Sequence, residues 1–128
     1  MAQFSDYLEN ALLNEVFRNT GYAPAATVYV GLYTAAPTDA GGGTEVTGGS
    51  YARVAVTFAA ASGGSITTSG VTTFPTATAD WGTVTHFGIF DAVSGGNLLA
   101  WQALTASATI NNTDTARFSA GALTITLD

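Results

Sequence analysis

The sequence predicts a mainly β fold: a single β-sandwich or barrel-like domain of about six to eight short antiparallel strands, preceded by one amphipathic helix. Three observations carry this. Turn signals rich in Gly, Pro, Asn and Asp recur about every ten residues and bound short alternating segments. The chain holds 21 threonines, which are β-branched yet polar enough for a solvent-facing strand surface. A three- and four-residue apolar period occurs convincingly only once, near the start.

That period runs from Phe4 to Asn19, where Phe4, Leu8, Ala11, Leu12 and Val16 form one stripe. Asp6 and Glu9 have capping-box spacing, and Ser5 is an equally good N-cap. Thr20-Gly21 followed by Pro24 reads as the stop, with Gly as a left-handed cap. The stripe predicts a helix packed on the rest of the domain; a docking helix for another subunit is the alternative.

From about residue 27 to 127 the pattern is that of strands. Thr27 to Thr34 is β-branched and aromatic and ends at Pro37-Thr38-Asp39. Asp39 to Ser50 holds Gly41-Gly42-Gly43 and Gly48-Gly49 and reads as a loop too flexible and polar to pack. Tyr51 to Phe58 alternates, with Val54, Val56 and Phe58 on one face and Arg53, Ala55 and Thr57 on the other. Ser65 to Phe74 accommodates one or two short strands. Gly82 to Asp91 is apolar on both faces, as in a central strand, and Ser94-Gly95-Gly96-Asn97 turns it into Leu98 to Leu104 as a hairpin. Ala106 to Ile110, Thr115 to Ser119 and Ala122 to Leu127 complete the set. No internal repeat or domain boundary appears, so residues 1–128 read as one domain.

Composition removes several functions. Only 9 % of residues are charged, with nine acids, three arginines and no lysine, and the formal net charge is −6. Nucleic acid and anionic membranes are bound through Lys and Arg, so neither is an expected partner. There is no cysteine, hence no disulfide framework and no Cys-based zinc site. The first residues lack the basic and apolar regions of a signal peptide.

Catalytic chemistry finds few candidates. His86 is the sole imidazole, and Asp80 or Asp91 are the acids nearest in sequence that could orient it. No serine lies in a nucleophile-elbow pattern, so a structural histidine is expected. Asp80 and Asp91 are also the candidate carboxylate pair for glycoside hydrolysis. Gly41-Gly42-Gly43-Thr44 lacks the lysine and following helix of a phosphate loop. Asp39 and Glu45 flank that loop as candidate calcium ligands, without EF-hand spacing. Tyr22, Tyr29, Tyr33, Tyr51, Trp81 and Trp101 could build a sugar platform, but most belong to the expected core; Trp81, beside a loop, is the leading candidate. The residues therefore assign no catalytic, cofactor or metal site, and a carbohydrate-binding module is the lower alternative.

Five segments carry a family resemblance: Val30-Gly31-Leu32-Tyr33-Thr34-Ala35-Ala36-Pro37-Thr38-Asp39; Gly49-Ser50-Tyr51-Ala52-Arg53; Phe74-Pro75-Thr76-Ala77-Thr78-Ala79-Asp80-Trp81-Gly82; His86-Phe87-Gly88-Ile89-Phe90-Asp91; and Gly96-Asn97-Leu98-Leu99-Ala100-Trp101. With the helix-first layout, they resemble a family of small tailed-bacteriophage proteins labelled tail fibre proteins, some of which look like capsid decoration (cement) proteins. The resemblance implies a non-enzymatic virion component, assembled in the host bacterial cytoplasm. Its partners would be the major capsid protein or other virion proteins, and it would itself form a homo-oligomer such as a trimer. Capsid decoration is the expected role, because the chain is short and lacks the repetitive shaft of a fibre; a tail-fibre or tail-tip component contacting the host is the alternative.

Overall fold

A computed structural model describes residues 2–127. The chain opens with a two-residue strand, β1 (Gln3–Phe4), and then a helix, α1 (Asp6–Arg18). Ser5 between them is the N-cap: its hydroxyl accepts the Leu8 N–H at 3.3 Å and donates to the Leu98 carbonyl. One side chain thus supplies a helix donor with its acceptor and ties α1 to the sheet. The helix ends sooner than Gly21. Asn19 takes the left-handed conformation (φ 53°, ψ 38°), and Thr20 N–H reaches back to Asn14 O at 3.1 Å, a Schellman closure that Asn supports nearly as well as Gly.

The strands that follow are β2 (Val28–Ala35), β3 (Thr44–Glu45), β4 (Val54–Val56), β5 (Ser65–Thr67), β6 (Thr72–Thr73), β7 (Gly82–Phe90), β8 (Leu98–Ile110), β9 (Arg117–Phe118) and β10 (Thr124–Thr126). All their pairings are antiparallel. Six strands form one sheet in the order β1-β8-β7-β2-β3, with β4 also on β2. Two small sheets, β5 with β10 and β6 with β9, pack on it. The sheet is open at β1 and β3, so the architecture is sandwich-like and not a closed barrel.

The core lies between these layers. Val30 and Leu32 of β2, Val84, Phe87 and Ile89 of β7, and Leu99 of β8 meet Phe74 and Leu123 from the other side. Phe118 of β9 bridges them, its ring edge-on to both Phe74 (6.2 Å) and Phe87 (5.9 Å). The expected central strand is β7, between β2 and β8, with Phe87 and Ile89 buried on one face and Gly88 and Phe90 on the other. The expected hairpin is present, with Phe90 opposite Leu98. Val54, Val56 and Phe58 share the core face, as their alternation predicts.

Three further expectations differ from the fold. The two segments Leu98–Leu104 and Ala106–Ile110 are one strand, β8, interrupted by a bulge. Ala103 pairs with His86 and Ala108 with Val84, so Leu104 to Ser107 stand opposite the single residue Thr85.

The Gly-rich stretch 39–50 packs instead of floating. Val46 is buried within it, Thr44–Glu45 pairs with β2, and Val46 N–H donates to Leu32 O at 2.9 Å.

The helix, finally, buries none of its residues. Phe4, the first member of the expected stripe, belongs to β1. Leu8 packs partly against the core, but Leu13, Val16 and Phe17 are 56 %, 69 % and 79 % exposed. The stripe read from the sequence touches the sheet with its N-terminal half only.

Candidate functional site

The sequence candidates for chemistry are separated by the sheet. Asp80 and Asp91 flank opposite ends of β7, which alone spans roughly 25–30 Å at the rise of an extended strand. A glycosidase pair needs carboxyl groups about 5–10 Å apart. Each acid instead holds a turn: Asp80 accepts the N–H of Asn112 in the distant 111–114 turn at 2.8 Å, and Asp91 closes its own hairpin loop by accepting both the backbone and side-chain amides of Asn97, at 2.6 and 2.9 Å. His86 lies roughly 16 Å of extended chain from Asp91 and farther from Asp80, so neither orients it. Its Nδ1 is 2.8 Å from the Thr85 hydroxyl, and its ring lies 6.0 Å from that of Trp101. Both neighbours belong to the same sheet as His86 and fix the ring there.

Asp39 and Glu45 also serve different partners. Asp39 Oδ1 accepts the Trp101 indole N–H at 2.9 Å. Glu45 meets Arg53 in a bidentate pair, Nε–Oε2 and Nη2–Oε1 both 2.8 Å, and accepts the Tyr51 hydroxyl at 2.6 Å. Among the described residues, no group of three or more His, Asp or Glu gathers closely enough to hold a metal ion.

Trp81 is not a sugar platform. It is 5 % exposed, edge-on to Tyr51 (5.3 Å) and Phe74 (6.5 Å), and its indole N–H donates to Gly49 O at 2.9 Å. Tyr33 is buried as well, while Tyr22, Tyr29, Tyr51 and Trp101 are half-buried.

The Glu45 cluster closes a gap in the edge of β2. That strand pairs with β4 at Val28–Val30 and with β3 from Tyr33, which leaves Leu32 between them. Leu32 N–H donates to the Tyr51 hydroxyl at 2.9 Å, and the hydroxyl donates its own proton to Glu45. Arg53 completes the arrangement: its Nη1 donates to Ala92 O and Gly95 O, and its guanidinium lies 3.5 Å over the Phe90 ring.

Burial pushes the Glu45 carboxyl up, but the hydrogen bonds from Arg53 and Tyr51 and the guanidinium charge outweigh it, so the group sits below its ordinary range. Burial also raises Tyr51, and its bond to Glu45 raises it further. Tyr33 is pushed up to about 12, first by burial and then by the Glu45 charge.

Gly31 makes room for this cluster, and Gly88 for the side chains of Leu98 and Tyr33 beside it. Gly31 and Gly88 face each other across β2 and β7. A Cβ on Gly31 would come within 2.8 Å of Glu45 Oε2 and 2.9 Å of the Tyr51 hydroxyl; on Gly88 it would meet Leu98 and Tyr33 side chains at 2.9 Å.

Beside α1 the surface is apolar. A groove of about 750 Å³ runs between α1 and the strands β1 and β10. Leu12, Leu13, Val16 and Phe17 line it from the helix, Phe4 from β1, and Thr126 and Leu127 from the end of β10. Glu9 and Asp39 also line it, and no Arg does. The stripe read from the sequence supplies Phe4, Leu12 and Val16 but not the groove's full width. The signal for the rest is the pair Leu13 and Phe17, one helical turn apart, which widens the stripe at Leu12 and Val16.

Asp39, Glu45, Asp80, Asp91 and Asp114 are each hydrogen-bonded within the domain, His86 lies beside Thr85, and the groove beside α1 is bare; bare apolar surface of this kind marks interaction sites. The chain belongs to the family described as podophage GP4 fiber I protein gp80, which matches residues 3–126, and it is a structural component of a tailed-phage virion. No curated protein matches it.

Proposed function

We propose that this protein is a non-enzymatic subunit of a phage tail fibre, held in place by contacts with other virion proteins. The observation that carries this reading is the match to a fiber protein family across nearly the whole fold, residues 3–126. That description favours the fibre over capsid decoration, the role expected from the chain's shortness. The absence of a repetitive shaft does not weigh against a fibre when the chain is one module in it. The environments of His86, Asp80 and Asp91, each engaged by a neighbouring turn or strand residue, support a role without catalysis.

Cryo-electron microscopy of particles carrying an epitope-tagged copy tests the proposal. Tag density along the tail fibres is expected. Density distributed over the head lattice would overturn it in favour of decoration.

A further inference from the structure

Main-chain geometry gives the groove a second property. In the β5–β10 pair, Thr68 N–H donates to Leu123 O and Leu127 N–H to Gly64 O. Antiparallel strands direct alternate residues to alternate sides. Thr124 and Thr126 therefore turn their N–H and C=O groups away from β5. In the β1–β8 pair, Ser5 N–H donates to Leu99 O, so Phe4, one residue earlier, turns its groups away from β8. Phe4 and Thr126 both line the groove. An apolar wall from α1 thus stands beside outward-facing strand edges.

Helical grooves without a strand edge suit a helical ligand, whereas an edge supplies hydrogen bonds to an extended one. Charge narrows the occupant further. Glu9 and Asp39 border the groove and Asp6 lies in the first turn of α1, so the complementary segment carries Lys or Arg beside apolar residues. A second copy brings the same acids. It has three arginines in all, and Arg53 is tied to its own Glu45.

We infer that the groove receives an extended apolar segment bearing at least one basic residue, from a different polypeptide of the virion, added as a strand along β10 and covered by α1. The inference rests on the virion role above and names the chemistry of the contact.

The test is made in assembled particles. A photo-crosslinking residue, p-benzoylphenylalanine, replaces Phe17, which is exposed and dispensable for the core. After irradiation, mass spectrometry maps the attachment. The expected product joins position 17 to a segment of another virion protein with alternating apolar residues and a Lys or Arg. That segment, synthesised as a peptide and added to the purified chain, should slow amide exchange at Thr124 and Thr126. Glu9→Lys should weaken its binding by about tenfold, while Glu15→Lys, away from the groove, should leave it unchanged.

Attachment to this chain's own sequence would overturn the inference in favour of a second copy. Particles without an adduct at position 17, or a mapped peptide that leaves the β10 amides unprotected, would overturn it as well. Each result stands apart from the tag-localisation result, since a crosslink can be mapped wherever the subunit sits.

Discussion

Glu45 and Arg53, eight residues apart, close a bidentate ion pair that fastens a Gly-rich excursion to the edge of the main sheet. Their side chains are 23 % and 10 % exposed, so the pair is largely shielded from water. Removing one partner leaves the other short of hydrogen bonds in a place where water cannot fully replace them. Glu45→Gln should cost about 2–3 kcal/mol of unfolding free energy at neutral pH, read by urea denaturation.

The same carboxyl contributes to stability in a pH-dependent way. Its folded-state pKa lies below its ordinary value of 4.5. Its contribution is therefore fully present above that value and is lost as pH falls through the lower folded one. Melting temperature should drop on acidification from pH 5 toward pH 2 more steeply in the wild type than in Glu45→Gln. Parallel curves would show that Glu45 is not the group responsible.

At the alkaline end the sign reverses. Tyr33 keeps its proton until about 12, above the ordinary 10. A raised folded pKa means that its stabilisation is complete below pH 10 and is lost as pH climbs toward 12. Tyr33→Phe should flatten the dependence of melting temperature on pH between those values, followed by circular dichroism.

Trp81→Ala should unfold the domain more readily by about 3–5 kcal/mol, because it empties the space beside Tyr51 and Phe74. Trp81→Phe keeps most of the ring and loses the bond to Gly49 O, so about 1–2 kcal/mol is expected. Equal losses in the two variants would mean that the indole hydrogen bond, and not the volume, dominates.

Gly31→Ala should destabilise by about 1–3 kcal/mol through overpacking against Glu45 and the Tyr51 hydroxyl. Combining it with Glu45→Ala, which vacates the nearest contact, should recover part of that loss. A strictly additive double variant would place the strain elsewhere.

Legibility in the sequence follows the length and regularity of each element. β7 and β2 are readable because eight or nine consecutive residues obey one pattern, and the β7–β8 hairpin because Ser94-Gly95-Gly96-Asn97 is an unambiguous turn. β1 and β3 are not readable: two residues make no period, and both exist because a neighbouring strand offers an edge. Val46 looks solvated because it sits among polar residues and glycines. Its place is set by the bond from its N–H to Leu32 O, a partner 14 positions earlier that no local pattern reveals. The helix is legible as a helix, and its uncovered side is not. Periodicity reports that an apolar face exists and is silent on whether this chain or another one covers it.

The blister at Leu104–Ser107 has a consequence for the exposed edge of β8. Beyond the two residues paired with β1, the outer edge of β8 carries no charge and no proline from Gln102 to Ile110. A straight edge of that kind is a template for pairing with a second copy. Four residues bowed out against one break the straight line, a device by which sheet edges are kept from pairing with one another.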